Sequence, residues 1–137
     1  MGFPLYDYVN AQGENEIKKW LDSLEKVERA KIDQRLDMLE ENGEVLFPQI
    51  LTGTDEKSIL KLRAHGKVQL RPLLCRGPVS NTTEFTLLCG AKEVGGKLTP
   101  KGVLAEAVDR RLTVINAPTT RRKIHECKTR SANCQLC

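Results

Sequence analysis

The sequence predicts an α+β domain: an N-terminal strand and a helical hairpin packed on a largely antiparallel sheet of about four strands. Two observations support this class. Apolar residues recur with helical spacing between residues 16 and 42, and three apolar runs typical of strands follow at 58–64, 67–75 and 83–90. This order also predicts that all the helices lie on one face of the sheet.

The first elements are a short strand and two helices. Residues 3–9 form an apolar and aromatic run, which indicates a strand. A second helix is expected to start near Ser23 and to end at Asn42-Gly43, a pair typical of helix ends. The residues that share one face of the first helix by their spacing are Ile17, Trp20, Leu21 and Leu24.

The next two strands are expected to form a hairpin with His65-Gly66 at its turn. Pro72 falls inside the second of these strands. Because proline has no N–H to donate, we expect an edge position or a bulge there. Alternation in the first strand places Lys61 and Arg63 on the face opposite the neighbouring leucines.

A closing helix is predicted to begin with Thr99 as its cap and Pro100 at its first position. We expect it to end around Arg110-Arg111. Residues 112–115 form either a last short strand or the end of this helix.

The charge is unevenly distributed along the chain. Residues 1–109 have a net charge of −2, whereas residues 110–137 have a net charge of +6. We therefore expect a domain over 1–115 and a flexible basic tail over 116–137. A body with no excess of basic residues excludes a uniformly basic protein wrapped in phosphate. An aromatic content of 4% argues against a base-stacking platform.

The five cysteines and the apolar pattern indicate a cytoplasmic protein. An odd number of cysteines argues against a fully paired, secreted framework. No apolar run approaches the length of a membrane span, so no membrane association is expected. The N-terminus lacks the pattern of a signal peptide.

Several segments, in this order, carry a resemblance to a known family. The helical hairpin is EIKKWLDSLEKVERAKIDQRLDMLEENG, and the later segments are ILKLR (59–63), QLRPLLC (69–75), FTLLCGAK (85–92) and TPKGVLAEAVDRR (99–111). Together they resemble the RelE/HigB superfamily of ribosome-dependent mRNA interferase toxins, in its phage-associated Gp49-like branch. The resemblance spans roughly residues 3–112.

The resemblance implies a toxin of a toxin–antitoxin system, an endoribonuclease that cleaves mRNA on the ribosome. Its partners would be mRNA, the ribosome and a cognate antitoxin that covers the basic face. Cleavage would proceed by attack of the ribose 2′-OH on the adjacent phosphate, with no cofactor for catalysis. This reaction needs a proton acceptor, cations around the phosphate and a proton donor.

The candidate catalytic residues lie on the predicted hairpin. Arg63 and Arg71 would hold the phosphate, because a guanidinium fork suits phosphate oxygens. Lys61 or His65 would move the proton. The alternative is that these residues have no catalytic role and are solvated on an exposed face of the sheet. The residues expected to contact the RNA backbone are Arg76, Lys92 and Lys97.

The chain also departs from the family pattern. Leu70 stands where an aromatic residue is usual, and Lys61 stands where an acidic residue is usual. Lys92-Glu93 replaces a pair of lysines, and no Tyr or His follows the closing helix before residue 125. These departures support a second hypothesis, a catalytically degraded module that binds nucleic acid or a protein partner without cleavage.

The tail contains a candidate zinc site. One imidazole and three thiols are enough for a tetrahedral site, and the C-x-x-C spacing is typical of zinc ligands. The alternative is a basic tail with incidental cysteines. A third hypothesis, a structural phage protein with a zinc-binding tail, follows from the same residues. The candidate ligands are His125, Cys127, Cys134 and Cys137.

Overall fold

The computed structural model describes residues 2–126, and they form an α+β fold. The helices are α1 (Glu16–Asp22), α2 (Lys26–Asn42) and α3 (Val103–Asn116), with a 3-10 turn at Gly43–Leu46 after α2. The strands are β1 (Leu5–Tyr8), β2 (Leu51–Gly53), β3 (Leu60–Leu62), β4 (Gln69–Leu70), β5 (Leu73–Arg76), β6 (Phe85–Cys89), β7 (Lys92–Val94), β8 (Lys97–Thr99) and β9 (Arg122–Ile124). The predicted fold class and helical hairpin are confirmed.

The strands of the described residues form two sheets. The main sheet has six strands in the order β2-β3-β5-β6-β1-β9, and the small sheet has three in the order β4-β7-β8. Within the main sheet, β1 and β6 run parallel, whereas the other neighbours are antiparallel. The expected sheet of about four strands is therefore too small, and the main sheet is mixed.

Helices cover both faces of the main sheet, so the expectation that they lie on one face is wrong. The helical hairpin packs on one face, over a core that includes Phe85 and Leu87 of β6. Helix α3 packs on the other face, over a core that includes Leu88 and Cys89. All five residues of β6 are buried. An unbroken apolar run such as FTLLC is typical of a strand covered on both sides.

The predicted strand over 67–75 is divided at Pro72. Its first part, β4, belongs to the small sheet, and its second part, β5, belongs to the main sheet. Pro72 accepts a hydrogen bond from the Leu62 N–H at 3.0 Å, whereas the preceding Arg71 N–H donates to the Ala91 carbonyl at 2.8 Å. The chain therefore changes sheets at the residue that has no N–H to donate.

The predicted start of the closing helix is wrong by several residues. Thr99 ends β8, where it pairs with Lys92, and Pro100 lies in the following turn. The helix is capped instead by Gly102, whose φ of 86° is a left-handed conformation that favours glycine. Residues 112–115 belong to the end of this helix, so the strand alternative for them is wrong.

The segment after Asn116 is not a flexible extension as far as it is described. Strand β9 pairs antiparallel with β1, with Tyr6 opposite Ile124. The Arg121 guanidinium donates to the Val9 carbonyl at 2.9 Å and to the Tyr8 hydroxyl at 2.8 Å. These bonds hold the segment up to β9 against β1, although it lies beyond the predicted end of the domain at residue 115.

No helix in the described part of the chain is both long enough and apolar enough to cross a membrane.

Candidate nucleic-acid interface

Strand β3 and the turn after it position most of the predicted catalytic side chains. Leu60 and Leu62 are buried in the core beneath the helical hairpin. Lys61 and Arg63 are only partly buried, and Lys61 contacts Glu93 of the small sheet. The predicted alternation along this strand is confirmed. It follows from the period of two in a β-strand, which turns one side chain to the core and the next away from it.

His65 is exposed in the turn, and the cations that surround it come from three elements. Lys31 of α2 donates from its Nζ to the His65 carbonyl oxygen at 2.7 Å. Two causes lower the pKa of the His65 imidazole. The first is loss of solvation by nearby protein atoms, and the second is repulsion from Arg71, Arg63, Arg35 and Lys31. The neutral form is therefore favoured at neutral pH, in a strongly positive environment. We call His65, Arg63, Arg35 and Lys31 the His65 cluster.

Arg63 has a buried polar atom that nothing in residues 2–126 satisfies. Its Nε is inaccessible to solvent and has no hydrogen-bond partner within this part of the chain. A buried donor left unpaired costs about 1–3 kcal/mol. A rotation of this partly exposed side chain that brings the N–H to the surface, where a phosphate oxygen can accept it, would remove that cost. Arg63 is therefore the cation of the His65 cluster with an unfilled hydrogen-bonding requirement.

Arg71 is fully buried and does not lie beside Arg63 on an open face as expected. Four of its N–H groups are engaged. Its Nε donates to Glu93 at 2.7 Å, and its Nη2 donates to the Gln69 side chain at 2.7 Å. Its Nη1 donates to the carbonyls of Ala64 and Leu70. A guanidinium with no solvent exposure supports its neighbours rather than presenting a fork to an RNA phosphate.

Lys61 is held by the same carboxylate as Arg71. Its Nζ lies 3.0 Å from Glu93 Oε2, and both side chains are mostly buried. Burial raises the pKa of Glu93, but hydrogen bonds from Lys61 and Arg71 outweigh it and lower that pKa overall. A lysine bonded to an ionised carboxylate is poorly suited to accept a proton. Of the two predicted proton carriers, the surroundings therefore favour His65.

Sequence reasoning missed the role of Glu93, which links Lys61 of the main sheet to Arg71 at the end of the small sheet. The only sequence signal was its place after Lys92, where the family that the sequence resembles has a second lysine. Glu93 lies on β7 opposite Gln69 of β4. Its carboxylate and Gln69 thus approach the buried guanidinium together.

A cavity of about 490 Å³ opens beside Lys61, between the β2–β3 connection, the β7–β8 hairpin and the start of α3. The charged and leucine side chains that line it are Lys61, Lys97, Glu93, Asp55, Leu98 and Leu104. The structure thus places Lys61 and Lys97 around one space, although they are distant in sequence.

The other predicted RNA contacts lie apart from this cavity. Lys92 is exposed on β7. Arg76, at the end of β5, donates from Nη2 to Glu44 at 2.9 Å and lies 5.9 Å from the centre of the Phe47 ring. The Glu44 carboxylate raises the pKa of Arg76, against a smaller opposite effect of burial. Arg76 thus belongs to an exposed ion pair.

His125 is buried against β1, on a different part of the molecule from the His65 cluster. Its Nδ1 lies 2.9 Å from Asp7 Oδ1, and Asn15 donates to the other oxygen of that carboxylate at 2.9 Å. Nε2 is the ring nitrogen left for a ligand, as in histidines held by a carboxylate. Sequence reasoning missed Asp7 because it lies 118 positions away.

The proposed zinc ligands Cys127, Cys134 and Cys137 lie outside the described residues. Within residues 2–126, no group of three or more His, Cys, Asp or Glu side chains is arranged to hold a metal ion. The zinc site, of which His125 is the described member, stays a prediction.

Comparison of the chain with protein-family models, with curated proteins and with solved structures finds no match. We therefore infer function from the residues and their geometry. A neutral imidazole among cations and a guanidinium with an unpaired donor are suited to binding a phosphodiester and moving a proton beside it.

Proposed function

We propose that this chain is an endoribonuclease that cleaves mRNA on the ribosome, in the manner of the RelE/HigB-like toxins that its sequence resembles. The observation that carries the proposal is the His65 cluster. Loss of solvation, and then repulsion from the three cations of the cluster together with the buried Arg71, lower the pKa of one exposed imidazole there. Such an imidazole remains a base near neutral pH, and the same cations attract the RNA phosphate.

In the proposed reaction, His65 accepts the proton of the ribose 2′-OH. The 2′ oxygen forms a bond to phosphorus, the bond from phosphorus to the 5′ oxygen breaks, and the departing oxygen takes a proton from water. The partly exposed Arg63 side chain turns its unpaired Nε–H towards the surface and donates it to the phosphate, whose negative charge grows in the transition state. Arg71 acts indirectly, because it is buried beneath the surface and holds the Glu93 carboxylate in place.

The test is cleavage of mRNA by the purified protein in the presence of translating ribosomes. His65→Ala and Arg63→Ala are each expected to reduce the cleavage rate by about 100-fold or more, as loss of a general base or of a transition-state donor does. Lys123→Ala, which removes an exposed cation from β9, is the matched control and should keep full activity. Equal rates in all four proteins would overturn the proposal.

The pH dependence of the cleavage rate tests the role of His65 as the base. Because burial and the neighbouring cations lower the pKa of His65, the rate should remain high as the pH falls through 6.5, the usual value for histidine. It should decline only at lower pH. A rate that halves above pH 6.5 would point to a different base.

A cognate antitoxin and a cytoplasmic location are parts of this proposal. The antitoxin would cover the basic face of the protein. Co-expression of the neighbouring small gene, which would encode the antitoxin, should therefore relieve growth arrest. The alternative, a module that binds without cleaving, gains support from the pairing of Lys61 and Arg71 with Glu93. An active nuclease should arrest growth when expressed alone, whereas a binding module should be tolerated.

A further inference from the structure

The cavity beside Lys61 has the size and lining of a site for one nucleotide. Its volume of about 490 Å³ is within the range of roughly 300–1,000 Å³ that is typical of small-molecule sites. One part of its wall is polar, with two ammonium groups, and another part is apolar, with Leu98 and Leu104. A phosphate attached to a flat, partly apolar base matches both parts.

The charged side chains that line the cavity are balanced, and a buried arginine makes their surroundings positive. Lys61 and Lys97 are opposed by Glu93 and Asp55, but Arg71, which does not line the cavity, is paired with Glu93 and brings the sum of these five charges to +1. Asp55 lies on the exposed connection before β3.

Lys61 is fixed in place before any ligand arrives. The Arg71 guanidinium is fully buried and holds Glu93 Oε1 at 2.7 Å, and Glu93 Oε2 holds the Lys61 ammonium at 3.0 Å. An ammonium has three N–H donors, so Lys61 can keep this bond and still donate to a phosphate. Because the side chain is already ordered, binding costs less conformational entropy than at a free lysine.

We propose that this cavity binds one nucleotide of a single-stranded RNA, with its phosphate on Lys61 and Lys97, and that Glu93 is the positioning residue for Lys61. This inference rests on the proposed function for its substrate class, because a nuclease with its reacting phosphate at the His65 cluster needs contacts to a neighbouring nucleotide.

The test is the affinity of the full chain for a fluorescein-labelled hexaribonucleotide, measured by anisotropy without ribosomes and at several salt concentrations. Lys61→Ala and Lys97→Ala are each expected to weaken binding about tenfold, the usual effect of losing a hydrogen bond to a charged group. Each should also reduce the slope of log affinity against log salt by about one phosphate contact. Lys123→Ala should change neither quantity. Unchanged affinity in both cavity variants would overturn the site.

Glu93→Gln decides the role of the carboxylate by the sign of its effect. If Glu93 positions Lys61, its loss weakens RNA binding even though the cavity becomes more positive. If Glu93 only competes with phosphate, its loss strengthens binding, and the positioning role is wrong. Asp55→Asn is the matched control, since it removes the same charge from the same cavity and is expected to strengthen binding or leave it unchanged.

Two further measurements keep the outcome clear. Should Glu93→Gln fail to fold, Glu93→Asp keeps the charge, shortens the reach by one methylene and is expected to weaken binding. Inorganic tripolyphosphate is the competitor that separates a nucleotide site from a general anion site. If tripolyphosphate displaces the RNA at the same concentration as unlabelled hexanucleotide does, the assignment of a nucleotide site is wrong.

The results for cleavage and for binding are independent. A chain that binds RNA through Lys61 and Lys97 but cleaves nothing would retain the nucleotide site and lose the proposed nuclease function. A chain that cleaves mRNA but binds equally well without either lysine would retain the function and lose the site.

Discussion

The two histidines of the chain have opposite surroundings. Cations surround His65 in its exposed turn and lower its pKa, whereas carboxylates act on the buried His125 and raise its pKa. The same contrast holds for the arginines nearby. Arg63 has an unpaired donor, whereas Arg122 beside β1 is paired with Glu84 at 2.6 Å. A cation whose partners are internal stabilises the fold, and a cation without them is available to a ligand.

The largest effect on the free energy of unfolding is expected for substitution of Arg122. Its side chain is 8% exposed, that of Glu84 is 9% exposed, and the Arg122 guanidinium lies 3.7 Å from the centre of the Tyr6 ring. Arg122→Ala leaves the Glu84 carboxylate buried without its counterion and should lower the free energy of unfolding by about 3–5 kcal/mol. Urea denaturation measures this. A loss below 1 kcal/mol would show that the pair is not structural.

Arg71 should behave like Arg122 although it lies close to the His65 cluster. Arg71→Lys keeps the charge but cannot reach Glu93, Gln69 and two carbonyls from one ammonium. We expect a loss of roughly 2–3 kcal/mol in unfolding free energy. Arg63→Lys is the matched control, because Arg63 has no comparable set of bonds. Equal stability of the two variants would remove the distinction between them.

His125 should make the stability depend on pH. Burial lowers its pKa, but the hydrogen bond that His125 donates to Asp7 and attraction to Asp7, Asp33 and Glu40 outweigh that effect, so its pKa is raised overall. This stabilisation is fully present below the unfolded value of about 6.5 and is lost as the pH rises through the folded value. The melting temperature should therefore fall over that interval. His125→Asn should remove this decline, and its persistence would assign it to another group.

The smallest effect on stability is expected for Arg63. Arg63→Ala loses the packing of a partly buried side chain but also removes the unpaired Nε–H. Because these two effects oppose each other, the unfolding free energy should change by no more than about 0.5 kcal/mol. Thermal denaturation checks this against its loss of cleavage activity. A large destabilisation would place Arg63 with Arg122 among the structural cations.

The local patterns in the sequence predicted local structure well. The spacing of apolar residues was sufficient for both helices of the hairpin, because that spacing depends only on neighbouring turns. The alternation in β3 placed Lys61 and Arg63 on one face for the same reason. The division of one strand at Pro72 was only partly foreseen, since a bulge and a change of sheets both follow from a missing N–H.

What the sequence did not predict depends on contacts between distant segments. The pairing of β9 with β1, the Asp7–His125 contact and the Glu93 link all join residues far apart in the chain. Thr99-Pro100 matches a helix start locally, but pairing of β8 with β7 places it in a strand and a turn.

The position of β1 has a consequence for the order in which the molecule assembles. Leu5 pairs with Phe85, and Tyr6 pairs with Ile124, so both partners of this strand come from the second half of the sequence. Contacts at such large sequence separation form slowly, because long loops must close first. During translation, β1 therefore emerges long before its place in the sheet exists. A chain that ended after α3 would contain β6 but lack the strand that covers the other edge of β1.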